Sequence, residues 1–192
     1  MLGEAGATVY CTGRSTRANR PAQKSKDAQP FDLANRPETI EETAELVTKH
    51  GGIGIPVQVD HTKADQVQTL IEQIRAEQGR LDVLVNDVWG GDELTEWTSF
   101  LEHDLKNGLL MLERAVHSHI ITAHYAVPLM IETGKGILIE ITDGDNYGYR
   151  GSFYYDLVKT SVIRLAFSFA KEFHKHHITA LALSPGFLRS EA

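Results

Sequence analysis

Cysteine is almost missing from this 192-residue chain: Cys11 stands alone, so no disulfide within the chain can staple it. A reducing, cytoplasmic setting is the compartment such usage fits. Basic residues are also scarce, with 19 Lys and Arg against 26 Asp and Glu and a formal net charge of −7. That balance argues against nucleic acid as a partner, since phosphates are met by a basic face. Long apolar runs are absent. No segment approaches the roughly 20 residues a bilayer-spanning helix requires, and the amino terminus lacks a charged-then-apolar leader layout. What is present, 42% hydrophobic and 23% charged residues, is the composition of a soluble globular protein with room for one core.

Two periodicities alternate along the chain. Apolar, β-branched runs at 7–12, 53–59, 81–86, 137–142 and 178–184 have the length and continuity of strands buried on both faces of a parallel sheet. Helical spacing lies between them: Ile40, Ala44 and Val47 share one face, as do Val67, Leu70, Ile71 and Ile74. A longer helix carries Leu109, Leu112, Val116, Ile120, Ala123, Val127 and Met130, and another carries Val158, Val162, Leu165, Ala166, Phe169 and Phe173. Gly51-Gly52, Gly79 and Gly134 stand where these helices should stop. The order β-α-β-α-β-α-β-α-β predicts an α/β, doubly wound, Rossmann-like parallel sheet with helices on both faces. Residues 1–192 show no domain boundary and read as a single domain. Residues 2–6 read as the end of a helix, so the chain is expected to begin inside an element.

Tyr155 and Lys159 carry the sharpest chemical signal. Four residues apart on a helix, they project from the same side. A free phenol ionises near pH ~10; a neighbouring ammonium favours the phenolate, and such a pair can exchange a proton at a carbonyl or carbinol oxygen. Thr142-Asp143 ends the preceding strand, Asn86-Asp87-Val88-Trp89-Gly90-Gly91 the one before, and Ser184-Pro185-Gly186-Phe187 the last. Open α/β sheets bind ligands at these carboxyl ends.

In these residues the sequence resembles the short-chain dehydrogenase/reductase family. The resemblance runs the length of the chain and rests on Tyr155/Lys159, Asn86 to Gly90, Val59-Asp60-His61-Thr62 and Ser184-Pro185-Gly186, in the family's order. It implies that Tyr155 is the general acid in carbonyl reduction, and that Lys159 lowers its pKa and holds the nicotinamide ribose. Thr142 or Asp143 takes the place of the family's serine, which hydrogen-bonds the substrate oxygen. Asp60 would meet the adenine, Asn86 and Gly90 would lie beside the cofactor, and Pro185-Gly186 would border the nicotinamide. Arg14, with Arg17, Arg20, Lys24, Lys26 and Arg36 in the irregular stretch after it, favours NADP over NAD by accommodating a 2′-phosphate.

The pattern breaks in three places. The first strand and its Gly-rich turn, which set backbone N–H groups against a pyrophosphate, have no counterpart ahead of residue 7. Two strands are therefore expected to face an empty slot with unpaired backbone groups, and a compact monomer is not expected. The last strand of the family is missing beyond Ala192, and the helix asparagine that relays protons is replaced near Ala115.

Other candidates read as structural. His117, His119 and His124 do not gather on one helix face and are expected on the helix surface. His174, His176 and His177 suit a helix carboxyl terminus. Asp143-Gly144-Asp145-Asn146 lacks the later ligands of a calcium loop, so no metal is expected. Trp89 and Trp97 either line a substrate pocket or pack a loop. The leading expectation is an oxidoreductase moving hydride between NADP(H) and a small carbonyl or alcohol, self-associating through its two long helices. The alternative is a non-catalytic chain that acts through protein association.

Overall fold

The computed structural model describes residues 1–19, 39–143 and 148–186. They form a Rossmann-like α/β fold of parallel strands alternating with helices. Contacts divide it into two compact units, Met1–Asp60 and the residues from His61 onward.

The first unit is one strand–helix–strand turn of the fold. Strand β1 (Thr8–Gly13) pairs in parallel with β2 (Ile53–Gln58), Val9 opposite Gly54 and Cys11 opposite Pro56. Helix α1 (Ile40–Lys49) begins with a reciprocal cap. Thr39 Oγ1 accepts from the Glu42 N–H at 3.3 Å, and the Glu42 carboxylate accepts from the Thr39 N–H at 2.9 Å. Ile40 and Ala44 bury the inner face of α1 against the strands. The approach is close enough that a Cβ on Gly54 would stand 1.9 Å from the Ala44 carbonyl oxygen. Ahead of β1, residues 2–6 form a turn closed by Gly6 at φ 73°.

The second unit holds a three-stranded parallel sheet, β3 (Val83–Asn86), β4 (Gly136–Ile141) and β5 (Ile178–Leu183), in that spatial order. Helix α2 (Ala64–Gln78) buries Val67, Leu70, Ile71 and Ile74 and packs on α4 (Ser118–Thr133). The long helix expected over 109–130 starts earlier, as α3 (Leu105–Leu112), and reaches α4 through a widened π turn at Glu113–His117. Such π turns gather at functional sites. Helix α5 (Phe153–Phe173) leads to β5. Gly79 and Gly134 cap α2 and α4 in left-handed geometry, at φ 68° and 84°.

The strands expected to be buried on both faces are covered on one within this unit. Leu138 and Glu140 on β4 are fully buried, and Leu138 belongs to a core cluster with Ala123, Val127 and Met130 of α4, against which Phe169 and Phe173 of α5 pack. The opposite face leaves Val83, Val85, Ile137, Leu181 and Leu183 exposed, Val83 in register with Ile137. Topology explains this. The order β3-β4-β5 advances in one direction, so right-handed crossovers put α4 and α5 on the same side. Among the described residues β1 has a single strand neighbour, as do β3 and β5.

Candidate active site

Helix α5 positions the predicted pair through its own packing. Tyr154, Val158, Val162 and Ala166 form its buried stripe, and Tyr155 and Lys159 stand one residue further round, half-buried. Gly108 on α3 admits the Tyr154 ring; a Cβ there would lie 2.2 Å from it. Thr142, just past β4, is buried and donates its hydroxyl to the Lys159 carbonyl at 3.0 Å, while its N–H donates to Leu183 O at 3.0 Å. Thr142 therefore fastens β4 to α5 and β5.

Asp143, one residue on, reaches the reactive side chains. The Tyr155 hydroxyl donates to Asp143 Oδ2, and Lys159 Nζ stands 3.8 Å from Oδ1. Trp89 meets the Tyr155 ring edge-on with centroids 5.4 Å apart, and Trp97 packs on it at 5.6 Å. The Lys159 ammonium sits over the Trp89 ring at 4.3 Å. Both tryptophans thus pack against the Tyr155 ring.

The electrostatics differ from the expectation. Burial pushes the Tyr155 phenol well above its usual range, and the hydrogen bond to Asp143 adds to the rise by favouring the neutral form. Lys159 was expected to lower this group; here burial depresses the lysine itself, opposed by Asp143, Asp87 and Asp92. Part of Asp87 is open to solvent, yet the protein packed about its carboxyl pushes it up, opposed by Lys159 and His119.

The turn after β3 is pinned from the α4 side. The Asn86 amide is buried, donating to Glu140 Oε1 at 2.8 Å and to the His119 carbonyl at 3.4 Å. His119 Nε2 meets Val88 O at 3.0 Å and Nδ1 meets Glu140 Oε2 at 2.5 Å. Arg114, in the π turn, donates to Gly90 O at 2.8 Å. Gly90 in this turn stands at φ 60°, in left-handed backbone that glycine adopts readily. His119, expected on the helix surface, is buried instead, whereas His117 and His124 are exposed. The signal that marks it is Glu140: a carboxylate within the apolar run Ile137-Leu138-Ile139-Glu140-Ile141 must find a partner.

Asn86, Gly90, Thr142, Asp143, Tyr155 and Lys159 all lie at the carboxyl ends of β3 and β4 or on the helix packed beside them. Pro185 and Gly186 follow β5, exposed, with Gly186 at φ 68°. Arg14 and Asp60 belong to the first unit, past the ends of β1 and β2. Arg14 is exposed, while Arg17 is bound bidentately by Glu45 of α1 at 2.7 and 2.6 Å. Arg20, Lys24, Lys26, Arg36, Gly144, Asp145, Asn146 and Phe187 lie outside the described residues. Ala115 packs with Leu94, Met111, Tyr154 and Val158. Among the described residues no three His, Cys, Asp or Glu side chains stand where they could hold a metal ion, and no helix is long and apolar enough to cross a membrane.

A family model described as enoyl-(acyl carrier protein) reductase matches residues 28–192. Dehydrogenase/reductase SDR family member 1 of Mus musculus is 29% identical over 195 aligned residues, which take in all of this chain and 56% of that protein. The chain thus spans little more than half the length of this relative. In fold it is similar to a 3-ketoacyl-ACP reductase from Sinorhizobium meliloti 1021, with a TM-score of 0.78 and 20% identity over 98% of this chain and 66% of that one. L-sorbose reductase from Gluconobacter frateurii, solved with NADPH and L-sorbose, gives a TM-score of 0.75 and 19% identity over 97% and 62%. With a family model matched over most of its length and a relative aligned along all of it, the chain belongs to the short-chain dehydrogenase/reductase family.

Proposed function

We propose that the protein is a nicotinamide-dependent oxidoreductase that interconverts a small carbonyl compound and its alcohol, with Tyr155 handling the proton at the substrate oxygen. The observation that carries this is the meeting of the Tyr155 hydroxyl, the Asp143 carboxylate and the Lys159 ammonium at the carboxyl end of β4. Asp143, not Thr142, takes the serine place in this reading, because the Thr142 hydroxyl is committed to the Lys159 carbonyl. A bound nicotinamide dinucleotide supplies or accepts the hydride. Residues that fit it are Lys159 for the ribose, the bare backbone at Gly90, and Pro185-Gly186 beside the nicotinamide, where a Cβ built on Gly186 meets nothing within 4 Å. Asp60 is assigned to the adenine. Arg14 supports NADP over NAD, because a guanidinium there accommodates a 2′-phosphate. The test is Tyr155→Phe in the full protein, which should lose nearly all nicotinamide-dependent turnover; a variant with unchanged turnover would falsify the assignment.

Self-association belongs to the same proposal. Ile120 on α4 and Leu157 and Phe167 on α5 are exposed apolar residues on the two long helices. Residues 1–192 are taken to act as one domain, in a reducing cytoplasm that suits a single buried thiol.

One observation favours a second reading, a non-catalytic chain that persists through association: the open apolar face of Val83, Val85, Ile137, Leu181 and Leu183. Titration of NADPH into the 192-residue protein, followed by nicotinamide fluorescence, separates the two. Binding at micromolar concentration supports the enzyme; none supports the associating chain.

A further inference from the structure

We infer that Asp143 is the terminal proton acceptor of the site, and that Tyr155 relays to it the proton it takes from an alcohol. This rests on the oxidoreductase reading and changes its proton chemistry. A serine hydroxyl in this place can donate a hydrogen bond to a substrate oxygen, whereas an ionised carboxylate only accepts. Here the carboxylate takes the Tyr155 O–H itself. A phenol so committed has no free proton to give and little tendency to ionise, so a lysine-stabilised phenolate is the wrong base for this geometry.

A carboxylate one hydrogen bond behind the phenol removes the difficulty. In oxidation the substrate O–H bond breaks as its proton bonds to Tyr155 Oη. The Oη–H bond breaks in concert and that proton bonds to Asp143 Oδ2. A bound oxidised nicotinamide would accept the substrate's C–H electron pair as hydride, which balances the oxidation. The phenol ends unchanged and the carboxylate ends as a carboxylic acid. In reduction the acid form of Asp143 refills the phenol as the phenol protonates the alkoxide. The Asp143 side chain is 44% exposed, so its proton leaves to water, while the Lys159 side chain beside it is 15% exposed.

The charged groups about this dyad come from three directions. Lys159 faces it from α5, Arg150 from the stretch ahead of α5, and Asp92 from the loop after β3. Asp87 faces Lys159, and His119 faces Asp87. Arg150 is bound to Asp156 at 2.9 Å and still opposes the rise of Tyr155, while Lys159 is the cation beside Asp143.

Two measurements test the relay. The first needs no cofactor or turnover. The near-ultraviolet phenolate signal of the 192-residue protein, minus that of Tyr155→Phe, isolates the ionisation of Tyr155. Asp143→Ser should bring that step down by about one pH unit or more, since a buried phenol loses its carboxylate acceptor. A step that does not move overturns the inference. The second is kcat/KM for alcohol oxidation against pH. Asp143→Ser should shift the rising limb to higher pH, and Asp143→Glu should restore much of the rate at neutral pH. If Tyr155→Phe is inactive but the limb stays put in Asp143→Ser, the relay is wrong and the oxidoreductase reading stands. If Tyr155→Phe is fully active, that reading falls first.

Discussion

Glu140 and Asp143 are carboxylates three residues apart along one strand end, and they live in opposite surroundings. Glu140 is fully buried, with one oxygen on the Asn86 amide and the other on His119. His119 has an oxygen facing each ring nitrogen, Glu140 Oε2 at Nδ1 and the Val88 carbonyl at Nε2. Both Glu140 oxygens and both His119 ring nitrogens have partners, and these contacts join β3, β4 and α4. Asp143 is partly open to water, and its partners are a phenol and a lysine 3.8 Å away. The closed constellation holds the fold in place; the open one still has a solvent-facing side on which a reaction can proceed.

Changes at either constellation should break this comparison in different ways. The largest effect is expected at the open site. Tyr155→Phe should lose roughly 10²–10⁴ in turnover, the usual worth of a positioned acid–base group, with an unchanged circular dichroism spectrum. Equal losses of turnover and helical signal would mean that the tyrosine is structural. Next comes the closed site. Glu140→Ala leaves His119 without its carboxylate and should lower unfolding free energy by about 3–5 kcal/mol in denaturant titration. His119→Leu combined with Glu140→Leu should cost less than the two single changes summed; simple additivity would show that the pair does not act as a unit.

A smaller loss is expected where the site meets its scaffold. Gly108→Ala drives a methyl into the Tyr154 ring and should cost about 1–3 kcal/mol, measurable as a lower denaturation midpoint. The smallest effect is a pH dependence. Tyr155 keeps its proton in the folded state at pH values where an unfolded phenol, with a pKa of roughly 10, has lost it. Its contribution to stability is complete below that pH and is lost as pH rises above it toward the folded-state value. Wild-type protein should therefore lose stability faster than Tyr155→Phe on going above pH ~10. The depressed Lys159 pulls the other way, but both proteins share it, so their difference reports Tyr155.

Much of this was legible in the residues themselves. Five strands and the helices between them follow from apolar periodicity and from glycines such as Gly79 and Gly134, which end helices because they adopt left-handed backbone readily. The pairing of Tyr155 with Lys159 follows from helical spacing alone. Other parts were beyond reach. His119 stands three residues after Val116 and four before Ala123, on the apolar side of its helix and away from the exposed His117 and His124, but that it meets Glu140 depends on how α4 packs on β4. Thr142 and Asp143 are adjacent and both polar. Which of them meets Tyr155 depends on where the strand ends and which side each residue then faces, an alternation of period two that a one-residue shift reverses.

Order, type and direction of the elements were set by the sequence on its own, because hydrophobic period and turn chemistry are local properties. The family follows with them. Tertiary structure alone decided how the titratable groups stand to one another: that the phenol faces a carboxylate, that burial depresses the lysine, and that one strand carboxylate is closed in while the other stays open. Such interactions depend on distances of a few ångströms between residues far apart in the chain and on how much water remains between them. Neither quantity is written in spacing.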